Sequence, residues 1–188
     1  MTAQPNASEP VRTPHDHRRE LLQAPIAAAI VTAIPGVIGI AMGQLWLFPS
    51  LGPTALMQAH SPEHKTSRPY NVVVGHLVGL ASSLFAVWIF GIAAAPSVFA
   101  LHELSWPRVL AATLAIFLAT ALEVILRAPH PPAASTTLLV ALGSFKATGR
   151  DIADVVVGVI IVAIAGEVMR RMRLSARHEP THPIPVSS

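Results

Sequence analysis

Apolar residues fill four long stretches of the chain. Leu21–Leu47 and Val72–Ala95 carry no charged side chain, Val109–Leu126 carries only Glu123, and Ile152–Met169 carries only Asp154 and Glu167. A helix rises about 1.5 Å per residue, so runs of about 17 to 25 apolar residues match the roughly 30 Å of hydrocarbon in a bilayer. The pattern predicts four membrane-spanning helices.

Two further apolar stretches break this regularity. Leu47-Phe-Pro-Ser-Leu-Gly-Pro-Thr-Ala-Leu-Met57 follows the first long run, and Ala128-Pro-His-Pro-Pro-Ala-Ala-Ser-Thr-Thr-Leu-Leu139 follows the third. Their prolines remove helix hydrogen bonds and rule out continuous helix. A shift of 82 residues lays Pro49 on Pro131, Thr54 on Thr136 and Leu56 on Leu138, and it also aligns the long runs. Each half therefore reads long helix, Pro-broken segment, long helix. We expect an all-α integral membrane fold with four long helices and two short ones, arranged as two inverted structural repeats at 21–95 and 106–173.

Whether the broken segments cross the membrane decides the symmetry. With both tails inside, four crossings place eight Lys and Arg inside and five outside, and the two repeats then run the same way. Six crossings give ten inside and three outside, which suits the preference of cationic loops for the cytoplasmic face. A re-entrant hairpin fits the lengths almost as well. In either geometry the irregular backbone must be wrapped in protein or line a wet cavity, because unpaired peptide groups facing lipid cost roughly several kcal/mol each.

Composition agrees with a membrane setting. Of 188 residues, 52% are hydrophobic and only 12% are charged, too few charges to solubilise a globular domain. Residues 1–20 are rich in Pro, Arg and His and read as a disordered cytoplasmic tail, not a removed signal peptide; residues 174–188 read as a second one. The absence of cysteine excludes disulfides and thiolate sites. Lys and Arg cluster beside the apolar runs, where anionic lipid explains them better than nucleic acid. The partners expected are the bilayer of a bacterial-type plasma membrane and a small solute.

Pro-interrupted segments at matching places in two halves point to a substrate site near the membrane midplane. Short helices beginning at the breaks, with Pro53 at the first helical position of one and Pro131 or Ser135 starting the other, would turn free N–H groups and positive dipole ends toward a small anion. Ser50, Gly52, Thr54, Ser135, Thr136 and Thr137 belong to this site, with His76 nearby in the next long run.

The motifs His130-Pro131-Pro132-Ala-Ala-Ser-Thr-Thr, Pro49-Ser-Leu-Gly52 and Arg68-Pro-Tyr-Asn71-Val-Val-Val-Gly75-His76 resemble the HPP family of integral membrane proteins over about residues 20–173. Its members in plastids and cyanobacteria are linked to nitrite transport. The resemblance implies a transporter or channel for nitrite or a similar small anion, with Asn71, His76, His130, Pro131 and Pro132 in the site. A channel for a small neutral solute and a sensing or scaffolding membrane protein are the alternatives.

Each polar residue also admits a structural role. His76, between Gly75 and Gly79, either meets the ion or relays protons, or bonds a neighbouring carbonyl. His130 either binds at the site or pins a loose carbonyl at the break. Asn71 is a site residue or a helix cap. Glu123 has the i, i+4 spacing for a pair with Arg127, as Glu167 has neighbours in Arg170 and Arg171. Gly36, Gly39 and Gly43 offer a close-contact face, either for a second copy or within one chain. The scattered histidines show no metal-ligand spacing, so no metal or other cofactor is expected. Ser135 with His130 is the only nearby nucleophile and base, without a third group, so no enzyme is expected.

Overall fold

A computed structural model describes the backbone of residues 14–177 and the side chains of 21–175. Seven α-helices follow one another: α1 Pro14–Met42, α2 Leu51–His60, α3 Pro69–Ile89, α4 Val98–Leu101, α5 Trp106–Ile125, α6 Ala133–Ala141 and α7 Gly149–Arg177. A 3-10 turn, Lys65–Ser67, precedes α3, and no strand occurs among the described residues. Helices α1, α3, α5 and α7 are long and apolar enough to cross a membrane. Ile40, Trp88, Trp106 and Phe117 stand more than half exposed on their outer faces, a surface suited to lipid.

Several boundaries differ from the sequence reading. Helix α1 already begins at Pro14, within the expected N-terminal tail, and α7 runs to Arg177, into the other; residues 1–13 and 178–188 lie outside the described residues. The long apolar run to Leu47 leaves the helix after Met42. Gly43 turns left-handed (φ +63°) and the Gln44 N–H bonds the Gly39 carbonyl, a helix-ending motif that needs no change in hydropathy. The same device ends α3 at Gly91, with Ile92 N–H on Val87 O, and α5 at Arg127, with Ala128 N–H on Glu123 O. Helix α2 starts at Leu51, so Pro53 is its third residue, and α6 starts at Ala133, between the two starts considered.

Both broken segments run back along the helix before them. After Gly43 the chain folds down α1: a Cβ on Gly39 would stand 2.8 Å from the Gln44 carbonyl oxygen, and one on Gly36 would stand 3.0 Å from Leu47. At the far end of α2, Ala59 packs with Ala27 and Ala28, halfway down α1. The second segment mirrors this on α5. Glu123, near the end of α5, holds the His130 backbone N–H at 3.1 Å, while Arg108, near its start, reaches the Ala141 carbonyl at the end of α6. The chain thus traverses the bundle six times. The glycines of α1 are filled by the chain itself.

Each short helix is gripped from two sides. Helix α2 packs against α1 and α7, and α6 against α5 and α3, so each half clamps the broken segment of the other. Small residues allow the approach. Gly75 and Gly79 of α3 face His130, Ala133 and Thr137, and Gly158 of α7 faces Trp46 and Phe48. Buried Ala111, Ala115 and Ala119 form the inner face of α5. Between the clamps Leu51, Val72, Val140, Val155, Val159 and Val162 make the main core, closed by the edge-on rings of Phe48 and Phe145.

Arginines finish both short helices. Arg108 Nη1 donates to Ala141 O at 2.9 Å and its Nη2 to Ala95 O and Pro96 O, while Arg173 Nη1 donates to Ala59 O. Residues 59 and 141 are 82 apart, yet both arginines come from the second half, one near the start of α5 and one near the end of α7. Each guanidinium meets the carbonyl, negative end of a helix.

The loop after α2, the start of α1 and the end of α7 share one end of the bundle. Single cysteines at Ser61 and Ser175 are therefore expected to give the same response to an impermeant thiol reagent on intact cells, and Ser105→Cys the opposite one. Opposite labelling of Ser61 and Ser175 would refute the six-traverse path.

Candidate functional site

The breaks meet in the middle of the bundle. Ser50 precedes α2 and Thr54 lies one turn into it; His130 precedes α6 and Thr136 lies one turn into that. Because the two segments pass each other with their helix starts adjacent, Ser50 and Thr136 come within 2.7 Å, hydroxyl to hydroxyl, and Thr54 Oγ1 lies 3.2 Å from His130 Nε2. His76, two turns into α3, inserts between them. Its Nε2 is 2.8 Å from Thr54 Oγ1 and its Nδ1 2.6 Å from Thr136 Oγ1. The two imidazoles touch edge to face, with centroids 5.0 Å apart.

Five side chains thus form one connected polar cluster in an apolar interior. Ser50, Thr54, His76 and His130 are fully buried and Thr136 is 1% exposed. Its outer end is fixed by backbone: His130 Nδ1 donates to the Thr66 carbonyl at 2.8 Å. Glycine at position 75 is required for this arrangement, since a Cβ there would stand 2.7 Å from the His130 Cβ.

The other expected site residues have different surroundings. Asn71 donates from Nδ2 to the Pro129 carbonyl at 3.1 Å and so pins the second break from α3. Thr137 bonds the Ala133 carbonyl within its own helix and faces Gly79. Gly52 has open space beside its Cα. Pro131, Pro132 and Ser135 turn away from the cluster and, with Pro53, Leu56, Met57 and His60, line a shallow groove of about 550 Å³ on the outer side of the two short helices.

One expectation does not survive the geometry. The N-terminal N–H groups of the short helices are not free for a ligand. Leu51 and Gly52 bond Phe48 O and Pro49 O, Pro53 has no N–H, and Ala133, Ala134 and Ser135 bond His130 O, Pro131 O and Pro132 O. The turns that proline imposes at each break consume the donors that an open helix end would offer. Hydroxyls and imidazoles are the donors that remain.

The structural alternatives sort residue by residue. His130 does hold a carbonyl, that of Thr66, while its second nitrogen joins the cluster. His76 bonds two hydroxyls and no carbonyl. Glu123 serves the His130 backbone instead of Arg127, because α5 ends at Ile125 and Arg127 takes a left-handed turn (φ +53°). Glu167 pairs with Arg170 at 2.7 Å and Arg171 at 2.6 Å, as the spacing suggests. Thr66 went unseen in the sequence because it acts through its carbonyl, which no side-chain pattern marks.

The family model for HPP, transmembrane region, matches residues 10–180, so the chain belongs to the HPP family of membrane proteins. No curated protein and no solved structure matches it.

Removing one hydroxyl from the cluster strands buried imidazole nitrogens, which costs about 1 to 3 kcal/mol per unsatisfied group. Thr54→Val, which keeps the side-chain shape, is expected to lower stability by about that amount in detergent melts. Thr113→Val, at an exposed threonine bonded only to Val109 O, is the control and is expected to change little. Equal melting of the two variants would show that the cluster does not hold the breaks together.

Proposed function

We propose that this HPP-family chain is a membrane transporter or channel for a small inorganic anion, with nitrite the first candidate, and that the ion passes between α2 and α6 at the cluster of Ser50, Thr54, His76, His130 and Thr136. The observation that carries the reading is the placement of those groups. Buried polar and ionisable side chains inside a membrane bundle are costly and mark a pathway or binding site. Here they gather where two broken segments meet, which is where discontinuous helices bind their substrates in transporters.

The cluster favours a donor-seeking solute. Three hydroxyls and two imidazoles offer hydrogen-bond donors, no carboxylate joins their network, and the peptide dipoles of both short helices point their positive ends toward it. In the conformation described these groups bond one another, so passage requires the two short helices to part. Each is held largely by a different pair of long helices, which lets α2 with α1 and α7 move against α6 with α3 and α5.

The purified chain in sealed liposomes is expected to give saturable, protein-dependent nitrite uptake that exceeds uptake of urea, with nitrate, formate and chloride as competitors. Thr54→Ser and Thr136→Ser keep the hydroxyls and should retain flux. Thr54→Val and Thr136→Val should reduce it about tenfold or more, since loss of one charge-assisted bond of about 1.5 to 3 kcal/mol exceeds the roughly 1.4 kcal/mol that makes a decade. Preferential urea uptake would favour a neutral-solute channel. A folded wild type that moves none of these solutes would favour a sensing or scaffolding role.

A further inference from the structure

The hydrogen bonds of the cluster can be counted proton by proton. His130 Nδ1 faces the Thr66 carbonyl, which only accepts, so that nitrogen carries a proton. In a neutral His130 the Nε2 is then an acceptor; it competes at 3.2 Å with the Ser50 carbonyl at 3.3 Å for the one Thr54 proton, and having no other donor it takes that proton. His76 Nε2, the other close partner of Thr54 Oγ1, must therefore donate, which leaves His76 Nδ1 to accept from Thr136. Either hydroxyl of the 2.7 Å Thr136–Ser50 contact can donate; with the Thr136 proton on His76, Ser50 is the donor. With both imidazoles neutral, a single polarity satisfies all five contacts. In the reverse polarity Thr136 donates to Ser50, and the same count requires one more proton, on His76 or on His130.

We propose that these side chains are a one-proton relay, loaded at Ser50 and storing its proton on His130, and that the anion crosses together with that proton. This rests on the small-anion reading above. A proton delivered to Ser50 Oγ sends the Ser50 proton to Thr136 Oγ1, that of Thr136 to His76 Nδ1, the Nε2 proton of His76 to Thr54 Oγ1, and that of Thr54 to His130 Nε2. Four protein O–H or N–H bonds break and five form; the difference is the delivered proton. The net change is one positive charge at His130 and a reversed chain.

Few ionisable groups face His130. From α5, the Glu123 carboxylate holds the His130 backbone N–H at 3.1 Å, and from α3 the neighbouring titratable group is His76. The remaining contacts are neutral oxygens: Thr54 of α2, Thr136 of α6 and the carbonyl of Thr66. Helix α7 adds Val155, Val159, Val162 and Ala163 to the adjoining core and carries the buried Asp154 one turn before Gly158. Coupling follows from the donor count. In the neutral cluster every donor of the chain is spent internally and the helix N-termini are closed, so an anion finds neither a free donor nor a charge. One added proton supplies the charge, and linkage makes the effect mutual, each ligand raising affinity for the other.

Nitrite uptake by the full chain in liposomes tests this, with voltage set by potassium and valinomycin, lumenal pH read by a trapped dye, and protein-free vesicles subtracted. The expected result is uptake that rises by roughly the size of an inward proton gradient, with about one proton entering per nitrite and no response to voltage. His130→Asn keeps an N–H for the Thr66 carbonyl but has no second basic nitrogen. It should lose proton entry, leaving any residual flux voltage-driven. His76→Gln interrupts the chain at its middle and should do the same, which covers a failure of the first variant to fold. Voltage-driven nitrite uptake without proton entry in the wild type overturns the relay and leaves the small-anion reading standing. Absence of nitrite uptake by the folded wild type overturns both.

Discussion

Peptide groups that leave a helix inside an apolar bundle have no water to turn to, and this structure is organised around satisfying them. Prolines at 49, 53, 129, 131 and 132 guarantee irregular backbone at two places. At each, short turns take up the first N–H groups of the following helix. Asn71 and His130 then tie the loose carbonyls of Pro129 and Thr66, and Arg108 and Arg173 take those at the ends of α6 and α2. Nearly every buried polar side chain discussed above exists to answer a backbone group or to answer a side chain that does so. The long helices need no such help, since their peptide bonds close internally.

The same demand makes the centre of the molecule a switchable object. A polar cluster buried in hydrocarbon is stable when fully bonded and costly when any one member loses its partner. Its members sit on α2, α3 and α6, elements held by different neighbours. Parting the two short helices therefore breaks several bonds together, and a solute able to replace them can stabilise the parted state. A bundle closed by apolar side chains alone would open just as well for any solute. Here the groups that bond the two breaks together are, on the proposed function, the same groups a hydrogen-bonding ion would use.

Much of this was readable from residue order alone. Four uniform apolar runs fixed the long helices, and matching prolines located both breaks. Thr54 and Thr136 stand out in the sequence as hydroxyls at the two breaks, His76 as an imidazole within an apolar run and His130 as the start of the His-Pro-Pro motif, and the structure brings the four together. Helix ends were read poorly for a physical reason: Gly43, Gly91 and Arg127 reverse the chain by a left-handed residue within sequence that stays apolar on both sides. The closed helix N-termini were also illegible. Proline announces that a helix cannot continue, but not where the N–H groups after it will bond.

The 82-residue offset also shows where the two halves part company. His130 corresponds to Phe48 and His76 to Gly158, and Phe48 does lie against Gly158, as His130 lies against His76. One junction is thus aromatic ring on glycine and the other imidazole on imidazole. Had both been polar, two clusters of buried titratable groups would have had to be satisfied in one small core; had both been apolar, no imidazole would join Thr54 to Thr136. With one of each, His76 bonds a threonine from either half and places the breaks in register. The apolar pair contributes packing to the core around Phe145. Divergence between the halves therefore does what a symmetric pair could not: it concentrates the ionisable groups at one junction while keeping both threonines, one from each half, on the same imidazole.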